Sequence, residues 1–180
     1  NSYFTWGEND NFKSVNSKTL ASNLFNIKIL DLKEIQQIDG VCVSTQQIIN
    51  VEGGDILHAI KNDEESFKSF GEAYFSIIEH NFVKAWKKHT KMTCNLLVPH
   101  GKVEFVIFDD RNANAENHCF AKICLSKENY KRLTIPPKVW FGFKGVDEEN
   151  SIILNVSDMK HDPDEVQRAS LDEILFNWEI

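Results

Sequence analysis

The chain has 180 residues and a mass of 20.7 kDa, about one domain of material, and its 42% hydrophobic content is enough for a core. Twenty Lys and Arg against 27 Asp and Glu leave a net charge of -7 and a pI near 5.4, which argues against a surface built for nucleic acid. Thirteen Phe and 4 Trp stand against only 4 Pro and 8 Gly, so many rings must find an interior.

Residues 1–24 are polar, rich in Asn, Ser and Lys, and carry no sustained periodicity. They read as an arm of the kind that packs on a partner subunit, ahead of a single domain over 25–180. The start has no basic segment followed by an apolar one, so it is not read as a signal peptide. No apolar run approaches the roughly 18 to 20 residues that a spanning helix needs, and no membrane association is expected. From Phe25 onward, short runs of β-branched and aromatic residues follow one another at 27–32, 41–44, 48–51, 73–78, 82–89, 93–98, 103–108, 119–125, 139–143 and 152–156. Turn residues such as Pro99-His100-Gly101-Lys102 separate them, a spacing that predicts an antiparallel sandwich or barrel. Short helices are expected at 62–70, behind Asn62 as N-cap, and at 162–175, where Pro163 suits the first helical position. A single turn is expected at 126–132. The four cysteines, Cys42, Cys94, Cys119 and Cys124, form no CxxC and read as buried thiols of a cytoplasmic protein.

Chemistry concentrates in the run Phe82-Val83-Lys84-Ala85-Trp86-Lys87-Lys88-His89. Strand alternation places Val83, Ala85, Lys87 and His89 on one face and Phe82, Lys84, Trp86 and Lys88 on the other. Lys87 and His89 turned into one cavity would lower each other's pKa by repulsion and desolvation, which makes a base usable near neutral pH. The same spacing also fits solvated lysines, with His89 ending the strand. Upstream, Glu72, Tyr74 and Ser76 alternate onto one face and supply a carboxylate, a phenol and a hydroxyl. Such interleaved donors and acceptors suit a sugar-binding wall, or an exposed strand face. Gly53-Gly54-Asp55 has neither phosphate-loop spacing, and no His or Cys pattern fits a metal, so neither a metal nor a cofactor is expected.

The segment from Leu125-Ser126-Lys127-Glu128-Asn129 through Ile135-Pro136-Pro137 to Phe141-Gly142-Phe143 resembles the dTDP-4-dehydrorhamnose 3,5-epimerase family of dTDP-sugar isomerases. There an LSxEN turn leads into an IPP strand and then a Gly-Phe. Phe108-Asp109-Asp110-Arg111 is similar to the family's Asp-x-Arg, and Ser157-Asp158 to its Thr-Asp. The run from Phe82 to Lys87 is similar to its Val-x-Arg-Gly-x-His strand. The resemblance implies an all-β, cupin-type jelly-roll β-sandwich, a homodimer, and a nucleotide-linked 4-keto-deoxy sugar as substrate. It further implies cofactor-free proton abstraction next to the carbonyl, by a His that an Asp orients, with a Tyr returning a proton. Residue by residue, the family's Arg falls on Lys84 and its catalytic His on Lys87, two residues before His89. The His before Gly-Phe falls on Phe141, the acid Tyr near Leu154, and the Lys of the next strand on or near Cys94. No residue matches the orienting Asp. The expected catalytic set is therefore His89 or Lys87 as base and Tyr74 as acid, with Lys84, Glu72, Ser76, Phe141 and Arg111 contacting substrate. The alternative is a cupin that binds a sugar or nucleotide sugar without turning it over.

Overall fold

The computed structural model describes residues 29–30, 35, 38–112 and 119–179. The expected arm over 1–24 and most of the expected strand at 27–32 lie outside the described residues. In chain order the strands are β1 (Ile29–Leu30), β2 (Cys42–Thr45), β3 (Ile48–Ile49), β4 (Ile56–Leu57), β5 (Glu72–Ile78), β6 (Val83–His89) and β7 (Cys94–His100). They continue as β8 (Lys102–Asp109), β9 (Cys119–Ser126), β10 (Lys131–Ile135), β11 (Trp140–Gly145), β12 (Ser151–Ser157) and β13 (Val166–Arg168). Two sheets result, with orders β1-β9-β8-β11-β6-β13 and β2-β10-β7-β12-β5, beside the small hairpin β3-β4. This is an all-β jelly-roll sandwich.

Alternation along the strands sorts the rings. Phe105, Ile107, Phe141 and Phe143 turn inward and meet Cys94, Leu96, Val98, Leu133 and Ile135 of the other sheet in the main core. Val106, between Phe105 and Ile107, and Trp140, just before Phe141, turn outward with Trp86 and Phe120 into a second apolar cluster. That outer face is covered by the C-terminal segment, whose Phe176 and Trp178 pack on Trp86 with ring centroids 6.4 and 5.4 Å away. Trp86 Nε1 donates to the Ile174 carbonyl at 2.9 Å, which satisfies its polar edge inside the cluster. The six-stranded sheet is thus buried on both faces. This explains why Phe105-Val106-Ile107-Phe108 reads as a continuous apolar run.

Both longer helices expected from sequence are absent. Over 62–70 the chain makes turns, and Arg132, fully buried on β10, holds that loop instead. Its guanidinium donates to the Ala59 carbonyl at 2.9 Å and to Glu64 Oε2 at 2.6 Å. At 162–175 the cap is real but serves one turn only: Asp162 Oδ1 accepts from Asp164 N at 3.0 Å, and a 3-10 turn spans Pro163–Glu165. Val166 then becomes extended, because the free edge of β6 offers backbone partners and β13 pairs with it, Val166 opposite His89 and Arg168 opposite Lys87. The turn expected after Ser126 is present, with Ser126 Oγ accepting from Asn129 N at 3.3 Å, and it is followed by β10, which the run spacing passed over and the IPP strand of the resemblance implied.

One irregularity positions the site. β11 pairs Phe141 with Lys87 and Phe143 with Lys84, so two steps on β11 face three on β6, a β-bulge. Gly142 permits it: a Cβ there would lie 2.4 Å from the Ala85 Cβ. The bulge overturns the alternation expected for β6. Lys84 joins Lys87 on the cleft side, while Val83, Ala85 and Trp86 pack into the outer aromatic cluster.

Candidate active site

At the open edge of the sandwich, β5 of one sheet faces β6 and β13 of the other across a cleft of about 500 Å³. Glu72, Tyr74 and Ser76 form one wall, from alternate positions of β5. Lys84 and Lys87 form the other, with Arg168 of β13 and His161 from the segment before it. Lys84 Nζ reaches across and donates to the Ile77 carbonyl at 2.9 Å. In a chain of net charge -7, four basic side chains and one carboxylate around one cleft make a local site for an anionic ligand.

The electrostatics divide the walls into donors and acceptors of protons. Burial, with Cys94 and Glu72 nearby, pushes the Tyr74 hydroxyl up to about 12 against the opposing hydrogen bond that Asn155 Nδ2 donates to it at 3.0 Å. Tyr74 therefore keeps its proton at neutral pH. Burial lowers the pKa of the Lys87 amine, and the neighbouring Arg168 adds to the effect, while Cys94, Glu165 and Glu72 oppose it. Burial also lowers that of Lys84, against Glu79.

His89 sits one layer deeper. It follows Lys87 by two residues but is only 2% exposed and does not itself line the cleft. Its ring stacks on Phe141 with centroids 6.3 Å apart, and its Nδ1 is hydrogen-bonded to Glu165 Oε1. The other carboxylate oxygen, Glu165 Oε2, accepts from the backbone N–H groups of Thr90, Lys91 and Met92 at 3.0, 3.1 and 3.3 Å. Only an ionised carboxylate suits three donors on one oxygen, so Glu165 carries the charge and His89 Nδ1 the proton. Burial raises the Glu165 pKa, but the His89 and backbone hydrogen bonds outweigh it and hold the net value below the ordinary one. Burial, then Lys87, pushes His89 down to about 4 against the pull of Glu165. This leaves the imidazole neutral, with Nε2 buried and lacking a hydrogen-bond partner among the described residues.

Of the residues expected to act, the cleft brings together Glu72, Tyr74, Ser76, Lys84 and Lys87, with His89 behind Lys87. Two expectations are corrected in position. Phe141 does not line the cleft; it lies in the main core, 5% exposed, as the ring on which His89 rests. Arg111 is also elsewhere, held by Asp109 through Nε at 2.8 Å and by the Asp39 carbonyl at 2.8 Å. Sequence reasoning missed Glu165, His161 and Arg168. Their signal was present only as the Asp-Pro-Asp-Glu run, which reads equally well as the start of a helix. Among the described residues no cluster of three His, Cys, Asp or Glu side chains is placed to hold a metal, and no helix is long and apolar enough to cross a membrane. All four cysteines are free thiols.

Comparison with known proteins gives the geometry a context. No family model matches the sequence. The crystal structure of a dTDP sugar isomerase from Desulfovibrio desulfuricans G20 is 36% identical, covers 78% of this chain and 92% of its own, and superposes with a TM-score of 0.74. The probable low-salt glycan biosynthesis epimerase Agl13 of Haloferax volcanii is 26% identical over 133 residues, 71% of this chain and 85% of the relative. The spore coat polysaccharide biosynthesis protein SpsL of Bacillus subtilis is 26% identical over 145 residues, 78% and 96% of the two chains.

Proposed function

The chain belongs to the dTDP-sugar isomerase family, and on that footing we propose that it is an epimerase or isomerase of a nucleotide-linked 4-keto-deoxy sugar. Its place is the synthesis of a surface polysaccharide, as the names of its relatives suggest. The observation that carries the reading is the opposition of two walls: amines whose pKa values are lowered on one, and a phenol that stays protonated on the other. A sugar ring between them loses the proton next to its carbonyl to the basic side, where Lys87 is backed by the His89–Glu165 pair. Lys84 and Arg168 supply positive charge for the enolate and the nucleotide's phosphates, and Tyr74 returns a proton to the opposite face of the ring. Proton transfer of this kind needs acid and base groups and no cofactor. Free thiols on all four cysteines agree with action in the cytoplasm.

The test is solvent exchange. In deuterated buffer, a dTDP-4-keto-6-deoxy sugar should exchange its C3 or C5 proton when the protein is present, followed by NMR. Tyr74→Phe should slow this by about 10²-fold, the ordinary worth of a positioned acid. Ligand binding with no exchange above buffer would overturn the enzyme and leave a sugar-binding cupin.

The resemblance also implies a homodimer, and the outer side of β5 supports that reading. Phe75 and Ile77, which also border the cleft, are 68% and 58% exposed there, on an edge strand, and Phe70 just before it is exposed as well. A second copy covering this face would remove them from water. Light scattering should report a dimer for the wild type and a monomer for Phe75→Asp with Ile77→Asp; a wild-type monomer would end this part of the reading.

A further inference from the structure

We propose that Lys87 works as a covalent catalyst, its side-chain amine condensing with the keto carbon of the bound sugar to form an imine. This rests on the keto-sugar reading above and specifies how the basic wall divides its labour. A general base at this place could be any group that accepts a proton. The residue present is a primary amine, and a primary amine beside a ketone can do something an imidazole or a carboxylate cannot. The β6 bulge brings a second amine, Lys84, onto the same wall, and Arg168 of the neighbouring β13 stands opposite Lys87. Clustered cations and a partly dry site are the conditions under which a lysine gives up its proton and becomes a nucleophile, and the lowered pKa of Lys87 agrees with that arrangement.

The step balances without an oxidant or reductant. The amine nitrogen forms a double bond to the keto carbon, the carbon–oxygen bond breaks, and the oxygen leaves as water with the two amine hydrogens. Tyr74, which keeps its proton at neutral pH, is placed to relay one of these hydrogens, protonating the departing oxygen and taking an amine hydrogen in exchange. The imine, once protonated, draws electrons more strongly than the ketone did. The neighbouring C–H pair then flows to nitrogen as an enamine, while its proton goes to the basic wall of the cleft, behind which the His89–Glu165 pair stands. Return of a proton to the other face of the ring inverts the centre, and hydrolysis restores the ketone and the free amine.

The experiment is reductive trapping. The full-length protein is incubated with a dTDP-4-keto-6-deoxy sugar and cyanoborohydride, which reduces a protonated imine to a stable secondary amine. Intact mass spectrometry should show one sugar-nucleotide adduct per chain, and peptide mapping should place it on Lys87. Lys87→Arg keeps the positive charge but cannot form an imine, so the adduct should vanish and exchange should fall at least about 10²-fold. Proton exchange by the wild type with no trapped adduct, or an adduct on Lys84 alone, would overturn the covalent role and leave the epimerase reading intact. Exchange undiminished in a folded Lys87→Arg would do the same. Absence of both exchange and adduct would remove both proposals together.

Discussion

Glu165→Gln is expected to slow sugar proton exchange about 10²-fold and to destabilise the fold by about 3 kcal/mol. The carboxylate serves two clients at once, the His89 Nδ1 proton on one oxygen and three backbone N–H groups on the other. A carboxamide has one acceptor and one donor end. With its NH2 toward the turn it meets three backbone donors and leaves buried polar groups without their bonds, and with its NH2 toward His89 it meets the Nδ1 proton unless the ring changes tautomer. If the amide turns its NH2 toward His89, it favours the tautomer with the proton on Nε2, which can no longer accept one. Glu165→Asp keeps the charge at shorter reach and should lose less in both measurements. Urea unfolding and the exchange assay together check this. A Glu165→Gln protein as stable and as active as the wild type would show that the pair neither holds the turn nor orients the ring.

The same pair makes the fold sensitive to acid in a particular window. The folded-state pKa of His89 is pushed down to about 4, below its ordinary 6.5, so between these values the unfolded chain takes up a proton that the folded one refuses. Stability should therefore be intact above about pH 6.5 and fall as pH drops toward 4, by up to about 1.4 kcal/mol per pH unit. The lowered Glu165 pKa adds a loss of the same sign further down, below its ordinary 4.5. Urea midpoints from pH 7.5 to 4.5 measure the slope. In His89→Gln, which can still donate to Glu165, the slope over the upper part of this range should flatten. A wild-type curve with no fall there would mean that His89 titrates normally.

Most of the strands, and the polar character of β5 and β6, were legible because they are local. Alternation over β5 identified Glu72, Tyr74 and Ser76 as one face, and the run over β6 identified its basic character. What escaped depends on distance in sequence. Glu165 is separated by 76 positions from His89, and nothing in a spacing rule joins them. The same holds for Arg132 and Glu64, 68 positions apart, whose contact replaced the expected helix by a pinned loop. The helix expected at 162–175 failed for a related reason. Capping residues announce a turn, and whether a turn continues as helix or opens into a strand is decided by what lies beside it, here the unpaired edge of β6. The aromatic excess, read as interior, is buried at Trp86, Phe105, Phe120, Trp140, Phe141, Phe143, Phe176 and Trp178 but exposed at Phe70, Phe75 and Phe82, and the division of the buried rings into two clusters on opposite faces of one sheet depends on the covering C-terminal segment.

The bulge in β6 makes the site a matter of counting. In a regular strand, side chains at odd separations face apart, and Lys84 and Lys87 are separated by three. They share the cleft because the inserted step shifts the frame between them, and Gly142 keeps the neighbouring strand out of its way. Parity is thus as much a part of the site as its chemistry. Removing Ala85 would leave the two lysines two steps apart in a regular strand and still on one face, whereas three steps paired without the bulge would turn one lysine out of the cleft. Two relatives can therefore carry the same basic residues in the same order and differ in whether those residues can meet a common substrate.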